Sequence, residues 1–87
     1  MFNGSRFFSL LRTWKNEEKN DYIRILRTVM NHYFDSISGK QMADKLTIRG
    51  AFSVPDIAYV LDRVGYHGYS INTSEPGVAY VTLRNSL

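Results

Sequence analysis

Large apolar residues recur along the first part of the chain at intervals of three and four, the period of one helical face. Phe7, Leu11 and Trp14 form the first such stripe, with Phe8 and Leu10 beside it, and predict a helix from about Ser5 to Lys15. Asn16 and the Glu17-Glu18 pair then break the pattern and supply a new N-terminus, because acids favour the first helical turn. The second helix runs to about Phe34. Its apolar face is Tyr22, Ile23, Leu26, Val29, Met30, Tyr33 and Phe34, and its polar face is Asp21, Arg24, Arg27, Thr28, Asn31 and Asp35. Ile25 fits neither face and predicts a flank that meets a further element.

Ser38-Gly39-Lys40-Gln41 has the spacing of a capping box, serine followed three positions later by glutamine. It predicts a short third helix from Gly39 to Leu46, with Met42, Ala43 and Leu46 as a thin apolar edge. Thr47 to Phe52 reads as a loop or a short strand. Ser53-Val54-Pro55-Asp56 opens another helix, with serine as cap and proline in the first turn. That helix should reach about Val64 and end at Gly65, burying Val54, Ile57, Leu61 and Val64, with Ala58 and Val60 beside them. Beyond it Tyr69, Ile71 and Thr73 alternate with Ser70 and Asn72, Ser74-Glu75-Pro76-Gly77 supplies a turn, and Val78 to Leu83 returns as a second strand.

Composition narrows the chemistry. With 87 residues, 44% hydrophobic and 22% charged, the chain is the size and make-up of one small globular domain. It has no cysteine, which excludes disulfides, thiolate catalysis and zinc–cysteine sites. The two histidines are not placed as ligands: His32 falls near the polar side of its helix and His67 in a turn. No nucleophile–base pair, phosphate cradle or metal set is legible, so neither an enzyme nor a cofactor is expected, nor a small-molecule substrate.

The net charge of +3 is unevenly placed. Residues 1–16 carry Arg6, Arg12 and Lys15 and no acid, which leaves eight basic and eight acidic groups for residues 17–87. The chain therefore divides into a basic amphipathic arm, 1–16, and a neutral body, 17–87. Phe7, Phe8, Leu11 and Trp14 are too apolar for a solvated tail. They predict packing on the body, pairing with a second copy or a partner, or, by the weakest argument, a membrane surface. No segment approaches the length of a membrane span. An intracellular, cytoplasmic protein is expected, a mitochondrial presequence being the alternative reading of the basic opening.

The order helix, short helix, helix, two-stranded hairpin over roughly residues 20–84 resembles a winged-helix domain, a variant of helix-turn-helix. The resemblance implies a mainly α fold with a C-terminal β-hairpin (α+β), preceded by an extra N-terminal helix. It makes 53–64 the recognition helix and 73–78 the wing tip. The alternative takes Lys45–Arg49 as a strand and builds a small β-α-β-β sandwich. The outward side of 53–64 carries Pro55, Asp56, Tyr59, Asp62 and Arg63, and so is net acidic, unsuited to a duplex of closely spaced phosphates. Asp56, Tyr59, Asp62 and Arg63 instead suit a protein interface, an aromatic anchor with a charged rim. DNA binding through Lys40, Lys45 and Arg49, helped by Arg6, Arg12 and Lys15, is the alternative, since such groups grip phosphate without reading sequence. The expectation is a small non-enzymatic binding module, a regulator, inhibitor or adaptor. Such a chain also resembles accessory proteins encoded by phages.

Overall fold

In the computed structural model, which describes residues 2–83, Asn3 opens the first helix, α1 (Gly4–Asn16). Its side chain accepts the Arg6 backbone N–H at 3.0 Å. The far end of α1 differs from expectation. Glu17 is its C-cap and Glu18 takes φ 60°, so the acidic pair closes α1 rather than opening the next helix, α2 (Asn20–Ile37). The Glu18 and Lys19 amides turn back onto the Lys15 and Trp14 carbonyls, the closure a left-handed residue makes possible. Glycine usually stands there, and a side chain in that conformation costs about 1–2 kcal/mol.

Ile23, Leu26, Val29 and Met30 bury the expected face of α2. Two of its residues lie elsewhere than expected. Phe34 is exposed, because it sits at the margin of the stripe, one residue further round than half-buried Tyr33. His32 is not on a polar side: it is 2% exposed. Seven residues from Ile25, it shares the flank that Ile25 occupies, and Ile25 is fully buried. That flank is where α2 meets the first strand, β1 (Lys45–Arg49).

The helix expected over Gly39–Leu46 does not form. Gly39 at φ 79° stops α2, and the amides of Gly39 and Lys40 bond to the carbonyls of Ser36 and Asp35 at 3.3 and 2.8 Å. Ser38 therefore belongs to the end of α2, its Oγ donating to the Asp35 carbonyl at 3.0 Å, and Gln41 reaches back to His32 instead of completing a capping box. After a turn the chain extends, and the period changes to two: Leu46 and Ile48 point inward, Lys45, Thr47 and Arg49 outward. This is the strand of the β-α-β-β alternative.

The next helix, α3 (Val54–Arg63), starts as expected, with the Ser53 hydroxyl accepting the Asp56 N–H at 3.4 Å. Gly65 at φ 101° ends it, the Tyr66 amide returning to the Leu61 carbonyl at 3.0 Å. Ile57, Val60, Leu61 and Val64 are fully buried, whereas Val54, at the first turn, is exposed. The hairpin follows as β2 (Ser70–Asn72) and β3 (Val78–Thr82), with Ile71 opposite Val81.

β1 adds to the other edge of β3, so the sheet is antiparallel with the order β1-β3-β2, and Leu46 faces Val81. The result is an α+β fold of three helices and one three-stranded antiparallel sheet, rather than helices with an isolated hairpin. Leu46, Ile48, Ala79 and Val81 join the buried cluster with the helices, while the alternate sheet positions face solvent. α1 packs against α2, with Phe7 and Trp14 buried, Leu11 half-buried and Phe8 exposed. Phe2 stacks on Tyr33 with ring centroids 4.7 Å apart, and the Asn3 amide donates to the Val64 carbonyl at 3.0 Å. The basic arm is thus fastened at both ends to the body.

Candidate interaction surfaces

Pro55, Tyr59, Asp62 and Arg63 on the outward side of α3 stay exposed and Asp56 is half-buried, while Tyr59, Arg63 and Asp62 also make contacts within the chain. Tyr59 stacks on Tyr22 at 5.1 Å with an interplanar angle of 24°, and Trp14 lies 6.0 Å away. The Arg63 guanidinium stands 4.8 Å from the Tyr59 ring centre, a cation–π contact on the same ring. Tyr59 keeps 39% exposure, but as a member of a three-ring seam that joins α1, α2 and α3. Asp62 is engaged too: its Oδ1 accepts the Tyr69 hydroxyl at 2.9 Å, which also approaches the Ala58 carbonyl at 3.0 Å. Asp56 lines an open groove of about 490 Å3 with Glu18, Lys19, Asn20, Asp21 and Tyr22. Three carboxylates against one ammonium make that groove acidic, and Lys19 already sits 4.0 Å from Glu17.

The Tyr69 contacts have a measurable consequence. Burial first, then the hydrogen bond and charge of Asp62, push the Tyr69 phenol up to about 12 from an ordinary value of 10. An unfolded chain releases this proton near pH 10, whereas the folded one holds it. The stability from these contacts is therefore complete below pH 10 and is lost as the pH rises toward 12. Tyr66 and Tyr80 are shifted in the same direction, so the comparison is with Tyr69→Phe. Urea midpoints between pH 9 and 12 are expected to fall less steeply in Tyr69→Phe than in the parent. Parallel curves would show that Tyr69 ionises alike in both states.

The basic residues separate into two groups. Arg6, Arg12 and Lys15 lie on α1, whereas Lys45 and Arg49 occupy outward positions of β1, and Lys40 lies in the turn after α2. Arg84 lies outside the described residues.

No family model, curated protein or solved structure matches this chain. Among the described residues no three metal-ligating side chains come together, and no helix is long and apolar enough to cross a membrane.

The sequence pattern missed a second apolar surface. Phe8 is 61%, Phe34 53% and Ile37 65% exposed. They belong to one end of the α1–α2 hairpin. Phe8 contacts Phe7 edge-on at 5.2 Å, Phe7 contacts Phe2, and Phe2 stacks on Tyr33, whose ring lies 5.8 Å from Phe34. Ile37 follows Phe34 by three residues on α2. Met42, 60% exposed, lies in the turn beyond. The only advance signal was that Phe34 closes its stripe and Ile37 lies beyond it, where the helix outruns the core.

Proposed function

We propose that this chain is a small non-enzymatic module that binds a protein partner through the apolar end of its α1–α2 hairpin, as a regulator, inhibitor or adaptor inside the cell. The observation that carries the reading is the exposure of Phe8, Phe34 and Ile37 together, since clustered apolar surface is disfavoured on a monomer unless something covers it. Arg12 and Lys15 follow Phe8 at four and seven residues, on one stripe of a helix that contains no acid. Apolar anchors with a basic border suit an acidic protein surface. The exposed Tyr59, Asp62 and Arg63, with Asp56, offer a second, more acidic face, but Tyr59, Asp62 and Arg63 share their side chains with contacts inside the chain.

A Phe8→Glu/Phe34→Glu variant tests this, because both side chains are exposed and the fold does not depend on them. The tagged parent protein is expected to retain a protein from nuclease-treated lysate, and the variant to lose it with its thermal midpoint unchanged. Equal retention by both proteins would remove this face from consideration. A dimer in the parent and a monomer in the variant, by light scattering, would assign the face to a second copy.

The winged-helix reading has one observation in its favour. The order α2, β1, α3, β2, β3 around a β1-β3-β2 sheet suits a relative of that fold in which a turn replaces the middle helix. DNA binding would then place α3 in the major groove, where Asp56 and Asp62 meet phosphate unfavourably. The protein reading is the better supported of the two.

A further inference from the structure

The solvent face of the sheet lies apart from the helical surface just described, and its chemistry is different. Tyr80 occupies the middle of the central strand, β3, and is 44% exposed. Its cross-strand neighbours are small and polar: Thr47 on one side and Asn72 on the other. The ring is consequently flanked rather than covered. One edge strand contributes Lys45 and Arg49, the only charged residues at the outward strand positions. They stand four residues apart, about 13 Å along the strand, with the Thr47–Tyr80–Asn72 row between them.

The Tyr80 hydroxyl donates to the Glu75 carboxylate in the hairpin turn, which fixes the ring's orientation. Glu75 is an acid beside an otherwise basic face, and it raises the Tyr80 pKa above the ordinary phenol value, mainly through this bond. The charge of Arg49 acts on the same phenol in the opposite sense.

We propose that this sheet face binds single-stranded nucleic acid, with an unpaired base stacked on Tyr80 and the flanking phosphates met by Lys45 and Arg49. Charge complementarity selects an anion, and the accessible aromatic ring selects an anion that carries flat apolar groups. Thr47 and Asn72 offer hydrogen-bonding groups to the edge of the stacked base. A duplex keeps its bases stacked on one another and gives Tyr80 nothing to hold, so single strands are preferred. DNA and RNA share the chemistry used here, and both belong in the test.

The experiment measures anisotropy of labelled oligo-dT and oligo-U of about 12 nucleotides, and of a duplex of equal length, with the full chain across a salt series. Binding of the single strands is expected, weakening with salt. Tyr80→Ala is expected to lose at least about fivefold in affinity, while Tyr80→Phe retains most of it, since stacking needs the ring and not the hydroxyl. Removing Lys45 and Arg49 together is expected to flatten the slope of log affinity against log salt by about 1.4, and Glu75→Gln to tighten binding. Exposed positions make these variants safe for the fold, and a thermal melt of each verifies it. No binding of either strand at low salt, tighter binding of the duplex, or parent affinity in Tyr80→Ala would each overturn the proposal. So would loss of binding in Arg12→Ala/Lys15→Ala with the Lys45 and Arg49 variant unaffected, which would move the nucleic acid to α1. The Tyr80, Lys45 and Arg49 outcomes do not bear on capture through Phe8 and Phe34, so the two readings fail separately.

Discussion

Replacing Trp14 by alanine is expected to lower stability by about 3–5 kcal/mol, the usual consequence of deleting a large buried aromatic side chain. Trp14 is 3% exposed and lies 5.1 Å from the Tyr22 ring and 6.0 Å from Tyr59, so one side chain joins all three helices. A domain of 87 residues has a total stability of about 4–13 kcal/mol, so the loss takes a large share of it. Urea titration followed by circular dichroism should show the midpoint falling sharply. Phe8→Ala, only six residues earlier on the same helix, is the control: Phe8 is exposed, and its change should stay within about 0.5 kcal/mol. If Trp14→Ala unfolds at the parent midpoint, α1 contributes nothing to the core, and the arm must be regarded as an appendage.

His32→Ala is expected to cost about 2–4 kcal/mol, from the lost ring volume and the polar groups left unpaired, and to act locally as well. The imidazole is the one polar side chain buried among the described residues. Its Nε2 lies 3.2 Å from the Ala43 carbonyl, which can only accept, so Nε2 carries the proton and Nδ1 accepts from the Gln41 amide. Truncation removes the ring volume and leaves the Ala43 carbonyl and the Gln41 amide without these partners. Both partners belong to the turn that leads from α2 into β1. Amide exchange there should accelerate beyond what the drop in global stability explains. Uniform acceleration across the chain would show that His32 fills space but does not hold the turn.

That turn also marks where the sequence stopped being legible. Local rules sufficed for α1, for the Ser53 cap and Gly65 stop of α3, and for the hairpin about Ser74–Gly77, because each is decided by residues within a few positions. Gln41 obeyed the capping-box spacing yet bonds to His32, nine residues back, a choice no window of four residues contains. Leu46 fits a helical edge as well as a strand; its pairing with Val81, thirty-five positions away, decides. His32 looked polar by type, although its spacing from the misfit Ile25 already placed both on one flank. Of the candidate surfaces, helix phase placed Tyr59 outward, whereas Lys45 was expected on a short helix and stands outward on β1. Local pattern did not reveal that Tyr22 and Trp14 would lie beside the first, or that Tyr80 would share the sheet face of the second. Outwardness is local, whereas company is a property of the fold.

The sheet order has a bearing on how the protein is made. The strand at the centre, β3, is the last described element to leave the ribosome, and both β1 and β2 take their ladder bonds from it. While residues 78–83 are still in the exit tunnel, the helical hairpin can assemble, but Leu46 and Ile48 have no strand opposite them. Closing β1 onto β3 joins residues about 29 to 37 positions apart, the slow kind of contact that follows collapse rather than leading it. The nascent chain therefore passes through an interval in which a five-residue apolar-faced strand is present and unpaired. Lys45 and Arg49 give that strand like charges at its two ends, which discourages two nascent copies from pairing with each other before β3 arrives.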